Sequence, residues 1–289
     1  MSKPTRRRNA KLQNASGLAL LAGLAVCGSA SISQSAVAEG LGLPDFARNE
    51  VGWLAQGVNF QSPTSGPHEV TNDPSHAFRP PGRGEAPTWR VADLTNPILQ
   101  PWAREELRKR NERVLSGGTG YTRQVSCWPM GVPAFLLYPA QPLYIVQSPK
   151  QVLLIAQMDN QIRHVYLNVP HSKLVKPSWY GESVGHYEDD TLVVDTIGMN
   201  DQTWIDNYRT PHSEELHVVE RYHMVAQGRA LQVDVHVEDP GAFTTPWNTV
   251  QRYDRVQQGG LVEFPCAENN DHFVEPDVEP MPRAMKLDF

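Results

Sequence analysis

"LHVVERYHMVAQGRALQVDVHVE", residues 216–238, sets two alternating runs on either side of a short break. In the second run Leu231, Val233, Val235 and Val237 fall on one side of a strand. Gln232, Asp234, His236 and Glu238 fall on the other, because successive side chains of a pleated backbone point to opposite faces. In the first run His217, Val219, Arg221 and His223 share one face, and Val218, Glu220 and Tyr222 share the other. The break, "AQGRA", is a turn signal too short to carry a crossover helix. The two runs are therefore antiparallel neighbours. The polar face looks either at solvent or into a ligand-holding lumen.

The same pattern extends along the chain. "LYIVQS", "QVLLIAQM", "IRHVYLN", "SVGHYE" and "TLVVDTIG" precede this hairpin, and "NTVQRYDRV" and "LVEFPC" follow it. They are rich in β-branched and aromatic residues and separated mostly by tight-turn signals such as "SPKQ", "MDNQ" and "YEDDT". Two longer connections interrupt them, near residues 169–182 and 198–214. About nine such strands form a meander, and closure removes its edges. The expected fold is mainly β: an antiparallel up-and-down β-barrel of lipocalin-like type over residues 131–268, with an open curved sheet or a sandwich as the alternative. Residues 39–98 are Pro- and Gly-rich and lack a sustained period, so they read as an irregular arm docked through Trp53, Phe60, Phe78 and Trp89. Residues 99–130 hold one helix and a connector. Pro101 suits the first turn, Gly117-Gly118 ends the helix, and a thin stripe of Trp102, Leu107 and Val114 places it on the surface. Residues 269–289 form a tail.

The N-terminus reads as a signal peptide: basic "MSKPTRRRNAK", a short apolar core, and "AVA" as a cleavage site ending at Ala38. "TRRRNAK" resembles the twin-arginine signal as well, so the periplasm or exterior is the expected compartment by either route. Without the five basic residues of this segment, the other 251 residues carry 21 basic and 32 acidic side chains, a balance of −11. Such a chain repels phosphate backbones, and nucleic acid is not an expected partner. No stable membrane insertion is expected, since the apolar run is too short to span. Cys127 and Cys266 remain after cleavage and read as one disulfide in an oxidising compartment.

The candidate chemistry centres on histidines and carboxylates. His212 lies in the 198–214 connection and His217 begins the next strand, so both reach one strand end. They read either as an acid/base pair or as a loop residue satisfying backbone beside a half-buried strand residue. Asp195 sits inside an apolar strand and demands a partner. Asn200, Asp201 and Trp204 follow at that strand's end, where ligands enter barrels. Arg163, Arg221 and Arg252 read as ladder cations or barrel-end plugs. Metal chelation would need His171, His186, His212 and His217 to be gathered by the fold, since no strand carries His-x-His and no His-Glu-x-x-His occurs; no metal is expected. No phosphate loop, dinucleotide fingerprint or nucleophile elbow is present, so no cofactor is expected.

"CWPMGVPAFLLYPAQPLYIVQSPKQVLLIAQMDNQIRHVYLN", "WYGESVGHYEDDTLVVDTIGMNDQTWID", "PHSEELHVVERY" and "FPCAENN" together resemble a large family of exported, mostly uncharacterised bacterial proteins. That family's pattern runs Cys-x-Pro-x-Gly-Val-Pro, Gly-x-Trp-Glu-Gly-Asp-Thr-Leu-Val-Val-Asp-Thr, Gly-Phe-Asn-Asp-x-Thr-Trp and Pro-His-Ser-x-x-Leu-His-Val-x-Glu-Arg. The resemblance spans residues 127–270 and highlights Cys127, Trp179, Asp195, Asn200, Asp201, Trp204, His212, His217, Glu220, Arg221, Cys266, Glu268 and Asn269. His171 matches a histidine that in the family follows Asp-Gly-Arg; here Asn168-Val169-Pro170 stands in that place. His164 and Tyr187 replace an arginine and a tryptophan. The expected function is an exported enzyme acting on a small organic molecule, with His212, His217, Glu220 and Asp195 as acid/base residues. His171, His186, Asn200, Asp201, Trp204, Arg221 and Trp179 are expected around the substrate. A non-catalytic, lipocalin-like carrier of a hydrophobic ligand is the alternative.

Overall fold

The computed structural model describes residues 42–47, 51–79, 89–118, 120, 122, 124, 127–138, 141–257, 260–264 and 266. The signal segment and the C-terminal tail lie outside the described residues. Nine strands close a barrel in sequence order. These are β1 (Val51–Ala55), β2 (Leu143–Gln147), β3 (Gln151–Ala156), β4 (Gln161–Leu167), β5 (Glu182–Glu188), β6 (Thr191–Ile197), β7 (His217–Val225), β8 (Ala230–Glu238) and β9 (Trp247–Gln257). β9 pairs back onto β1, from Val51↔Gln257 to Ala55↔Tyr253. The helix α1 spans Pro101–Leu115. Among the described residues no helix is long and apolar enough to cross a membrane.

The closed barrel matches the reading of the sequence, with two differences. First, the arm supplies a strand. "VGWLA" is too short to show a period, but Trp53 is fully buried and its indole donates to the Phe46 carbonyl at 3.0 Å. Gly52 is needed there, because a Cβ would stand 2.6 Å from Cβ of Pro142. "LVEFPC" is not a strand; Leu261–Phe264 run as coil. Second, the seam between β4 and β5 is parallel, with Val165↔Ser183, Tyr166↔Val184 and Leu167↔Gly185. The expected all-antiparallel meander assumed tight turns throughout. The connection at residues 168–181 instead carries the chain back across the barrel wall without a helix, which is length enough for a parallel return.

Alternation sorts the two faces. Val152 and Leu154 of β3, Val165 and Leu167 of β4, Leu192 and Val194 of β6, Val218 and Tyr222 of β7, and Leu231, Val233, Val235 and Val237 of β8 are buried. Strand polar residues such as His186, Arg221 and His236 look outward. The arm packs through Trp53 and Phe60, and Phe78 lies under the Arg90 guanidinium at 4.1 Å. On α1 the buried positions are Ala103, Leu107 and Asn111 rather than the Trp102–Leu107–Val114 stripe. Asn111 is buried because its amide clasps both backbone groups of Ala92, at 2.9 and 2.8 Å.

One interior contact is charged. Arg163 of β4 and Glu220 of β7 form a bidentate pair, Nη1 to Oε1 at 2.9 Å and Nη2 to Oε2 at 2.5 Å, with both side chains 0% exposed. Arg163 Nε also donates to Ser183 of β5 at 3.0 Å, and Nη2 to Thr196 of β6 at 2.6 Å. The Tyr222 hydroxyl donates to Glu220 Oε1 at 3.0 Å. Burial pulls the guanidinium pKa down, but the adjacent Glu220 outweighs it and the net direction is up. The expected ladder role for Arg163 is replaced by an interior one: it ties four strands together, across the parallel seam.

Cys127 and Cys266 are joined as a disulfide, with Cα atoms 5.5 Å apart and a sequence separation of 139. A loop of that length is worth about 4–5 kcal/mol through the entropy it removes from the unfolded chain.

Two stability predictions follow from these contacts. Glu220→Ala strands a buried guanidinium and should cost about 3–5 kcal/mol in urea unfolding; Arg163→Met combined with Glu220→Met should recover a large part of that loss. A loss below about 1 kcal/mol in Glu220→Ala would show that the pair does not hold the wall. Reduction should lower the unfolding free energy by about 4–5 kcal/mol, and the unreduced protein should yield no alkylatable thiol at Cys127 or Cys266.

Candidate functional site

The chemistry-bearing side chains gather on the outside of the barrel. Asp195, with Val193 and Ile197, takes the outward parity of β6. His217 of β7 lies on that same face, two residues along the ladder, since Asp195 stands opposite Val219. Glu238 of β8 is directly opposite His217, and Asn248 of β9 is opposite His236. Same-face neighbours on adjacent strands lie within reach of long side chains, so register alone assembles most of the cluster. His171 comes from elsewhere. The connection at residues 168–181 lays it against the wall, where Ser172 binds Glu182 through its N–H at 2.7 Å and its hydroxyl at 2.5 Å. Gly181 permits this return: its φ is +62°, and a Cβ there would stand 2.3 Å from the Ile197 carbonyl oxygen.

The result is a line of alternating carboxylates and imidazoles. His171 Nδ1 lies 3.0 Å from Glu182, and its Nε2 lies 3.0 Å from Asp195 Oδ1. His217 Nε2 meets the same Oδ1 at 3.0 Å, and its Nδ1 meets Glu238 at 3.4 Å. His236 continues the line, with Nε2 3.0 Å from Glu238 and Nδ1 2.8 Å from Asn248. The unit is partly solvated: His171 is 22% exposed, His217 32% and Asp195 42%. Carboxylates only accept, so the four contacts of His171 and His217 are all hydrogen bonds when each ring carries two protons. A ring with one proton keeps a hydrogen in only one of its two carboxylate contacts. The two rings share one oxygen of Asp195 at a position that solvent can reach. Ser172, through hydroxyl and N–H, holds the Glu182 carboxyl below its ordinary range, with His171 adding to it. His236 and then His217 do the same for Glu238. Among the described residues no group of three or more His, Cys, Asp or Glu is arranged to hold a metal ion.

A cleft adjoins this unit. Ile162, His164 and Tyr166 on the outer face of β4 line one side, Leu174, Val175 and Lys176 of the connection line the other, and Glu182 and Ser183 close one part; its volume is about 380 Å³.

The other sequence candidates fall in separate places. His212 is buried, its Nε2 2.7 Å from the Thr203 hydroxyl and its Nδ1 2.9 Å from the Ser213 carbonyl. No hydrogen bond or ion pair joins it to His217 among the described residues. Glu220 is inside the barrel with Arg163. Arg221 pairs with Glu188 at 2.5 Å, and Glu188 also holds His186 at 3.0 Å, in a second outer-wall group. Asn200 accepts from the Gln202 N–H at 3.1 Å, and Asp201 from the Gln202 side chain at 2.7 Å. The ring of Trp204 faces the Arg110 guanidinium of α1 at 5.2 Å. Trp179 packs edge-on against Trp128, ring centres 5.2 Å apart. Thus Asp195, His171 and His217 come together, and His212, Glu220, Asn200, Asp201, Trp204 and Trp179 do not join them. Glu182 and Glu238 were not singled out by the sequence. Counting outward from the β7–β8 turn pairs His217 with Glu238; nothing comparable marks Glu182.

No known protein family, curated protein or solved structure matches the chain.

The 198–214 connection carries its own pH signature. Burial lowers the His212 imidazole from its ordinary value near 6.5. Burial pushes the Asp206 carboxyl up to about 6, although it accepts from Tyr208 and Thr210. Unfolding therefore takes up a proton at His212 below about pH 6.5, so His212 costs stability as pH falls from there. Asp206 acts oppositely: its proton is held in the folded state between about pH 4 and 6, which favours folding on the acid side. His212→Asn should flatten the loss of stability between about pH 6.5 and 5, and Asp206→Asn should steepen it, both read from urea midpoints against pH. Identical profiles in the two variants would contradict this assignment.

Proposed function

We propose that the protein is an exported enzyme that acts on a small organic molecule by histidine-based proton transfer, with the His171–Asp195–His217 unit as the proton-handling group. The observation that supports this most is one carboxylate oxygen shared by two imidazoles at 3.0 Å, each imidazole backed by a further carboxylate. A purely structural outer-wall ion pair needs one partner each. A chain of this kind can accept a proton at one end and return it at another, which suits a lyase, isomerase, hydratase or hydrolase. Glu182, which lines the cleft and contacts His171, connects the chain to bound ligand. His217 and Asp195 act through His171 as positioning residues. The resemblance to exported bacterial proteins and the signal-like N-terminus support the compartment.

The second reading, a carrier without chemistry, finds its support in the same cleft, whose walls include Ile162, Leu174 and Val175. A lipocalin-type lumen has less support, since the interior holds Arg163, Glu220 and their hydroxyl partners.

The test is a panel of small hydroxy acids, enoates and lactones incubated with the purified protein in deuterated buffer. Turnover or deuterium incorporation should fall by about 100-fold or more in Asp195→Asn and in His217→Gln, with a flattened pH–rate profile. Turnover that persists unchanged in both variants contradicts the proposal.

A further inference from the structure

We propose that the cleft between β4 and the connection at residues 172–182 binds a planar aromatic carboxylate, its ring on Tyr166 and its charge on Lys176. The inference rests on the acid/base reading for the ligand's fate, but not for its seat.

The outward parity of β4 carries no carboxylate, lysine or arginine. It presents Ile162, His164 and Tyr166, with Ile162 46% and Tyr166 48% exposed. The rings of His164 and Tyr166 lie 6.3 Å apart at only 20° to each other, so they are nearly parallel and stack along the strand rather than meeting edge to face. Facing it, Leu174 is 81% exposed and Val175 stands beside it. A leucine so exposed, set across from an uncovered aromatic face, has apolar surface to give to a ligand. A flat ring extends a pair of parallel rings best, which selects a planar aromatic over a branched aliphatic group.

Charge selects the other half of the ligand. Lys176 lines the cleft and makes no ion pair among the described residues, in a chain where acidic side chains outnumber basic ones, 32 to 26. The neighbouring outer-wall cation Arg221 does have its carboxylate, Glu188. The carboxylate that lines the cleft, Glu182, already spends its oxygens on the Ser172 N–H, the Ser172 hydroxyl and His171. The cleft therefore offers one ammonium that holds no carboxylate, beside apolar walls, which favours a single carboxylate attached to a ring. A lone ammonium is a point charge without the planar fork of arginine, so it suits a carboxylate held by one contact better than a phosphate held by several. The volume, about 380 Å³, falls within the span of small-ligand sites. Because Glu182 belongs to both the cleft lining and the histidine chain, a bound ring lies beside the proton-handling group.

The experiment titrates the full-length purified protein with 2-naphthoate, 2-naphthylmethanol and cyclohexanecarboxylate by calorimetry. 2-Naphthoate should bind saturably, and about tenfold or more tighter than either of the others. Lys176→Met and Tyr166→Ala should each weaken it by about tenfold, and Lys109→Met, on the helix, should leave it unchanged. Absence of saturable binding, or wild-type affinity in either Lys176→Met or Tyr166→Ala, overturns the inference. The two proposals fail separately. Binding with this pattern while Asp195→Asn retains full turnover keeps the cleft and removes the acid/base reading. Turnover lost in Asp195→Asn without naphthoate binding removes the cleft and keeps that reading.

Discussion

The Arg163–Glu220 pair is the contact on which the wall of this barrel depends. The seam between β4 and β5 is the parallel one, and it registers only from Val165↔Ser183 to Leu167↔Gly185. Arg163 crosses that seam from inside, to Ser183, then to Thr196 on β6 and Glu220 on β7. A buried pair of this kind adds little net stability over well-packed apolar residues, because both charges leave water. What it does impose is a penalty on every other arrangement. A slip of β4 by one residue would turn Arg163 outward and leave Glu220 and Tyr222 in the core with a missing partner. The pair therefore fixes register at the parallel seam, where backbone pairing is short.

Register on the inside sets chemistry on the outside. The parity that sends Glu220 inward sends His217 outward, and the parity that sends Thr196 inward sends Asp195 outward. The outer-wall line from Glu182 to His236 is thus the reverse side of the same strands that hold Arg163. The connection that makes the parallel return also delivers His171. One topological departure from a simple meander supplies both the need for an internal clamp and the third member of the candidate site.

Much of this was legible in the sequence, and the remainder was hidden for identifiable reasons. Alternation in residues 230–238 gave the correct inward set, and the short turn at 226–228 gave the β7–β8 pairing. Alternation also separated Glu220 from His217. Arg163 shares the parity of Val165 and Leu167, an interior signal that the reading of strand arginines as ladder cations or barrel-end plugs passed over. β1 was missed because five residues show no period, and "LVEFPC" was taken as a strand because composition carries no information about what lies beside it. His212 drew attention through its spacing from His217, but spacing says nothing about a loop that folds inward onto Thr203. The meeting of His171 with Asp195 depends on the path of a non-helical connection, which no local pattern encodes.

The central claim is that Asp195 joins His171 and His217 into one proton-sharing unit. The most direct measurement is long-range ¹H–¹⁵N NMR of the histidine side chains in the wild-type protein and in Asp195→Asn. The account predicts that the ring nitrogen signals of His171 and His217 both move in the variant, while those of His186, held by Glu188, stay in place. Movement of only one of the two rings, or of neither, would contradict it.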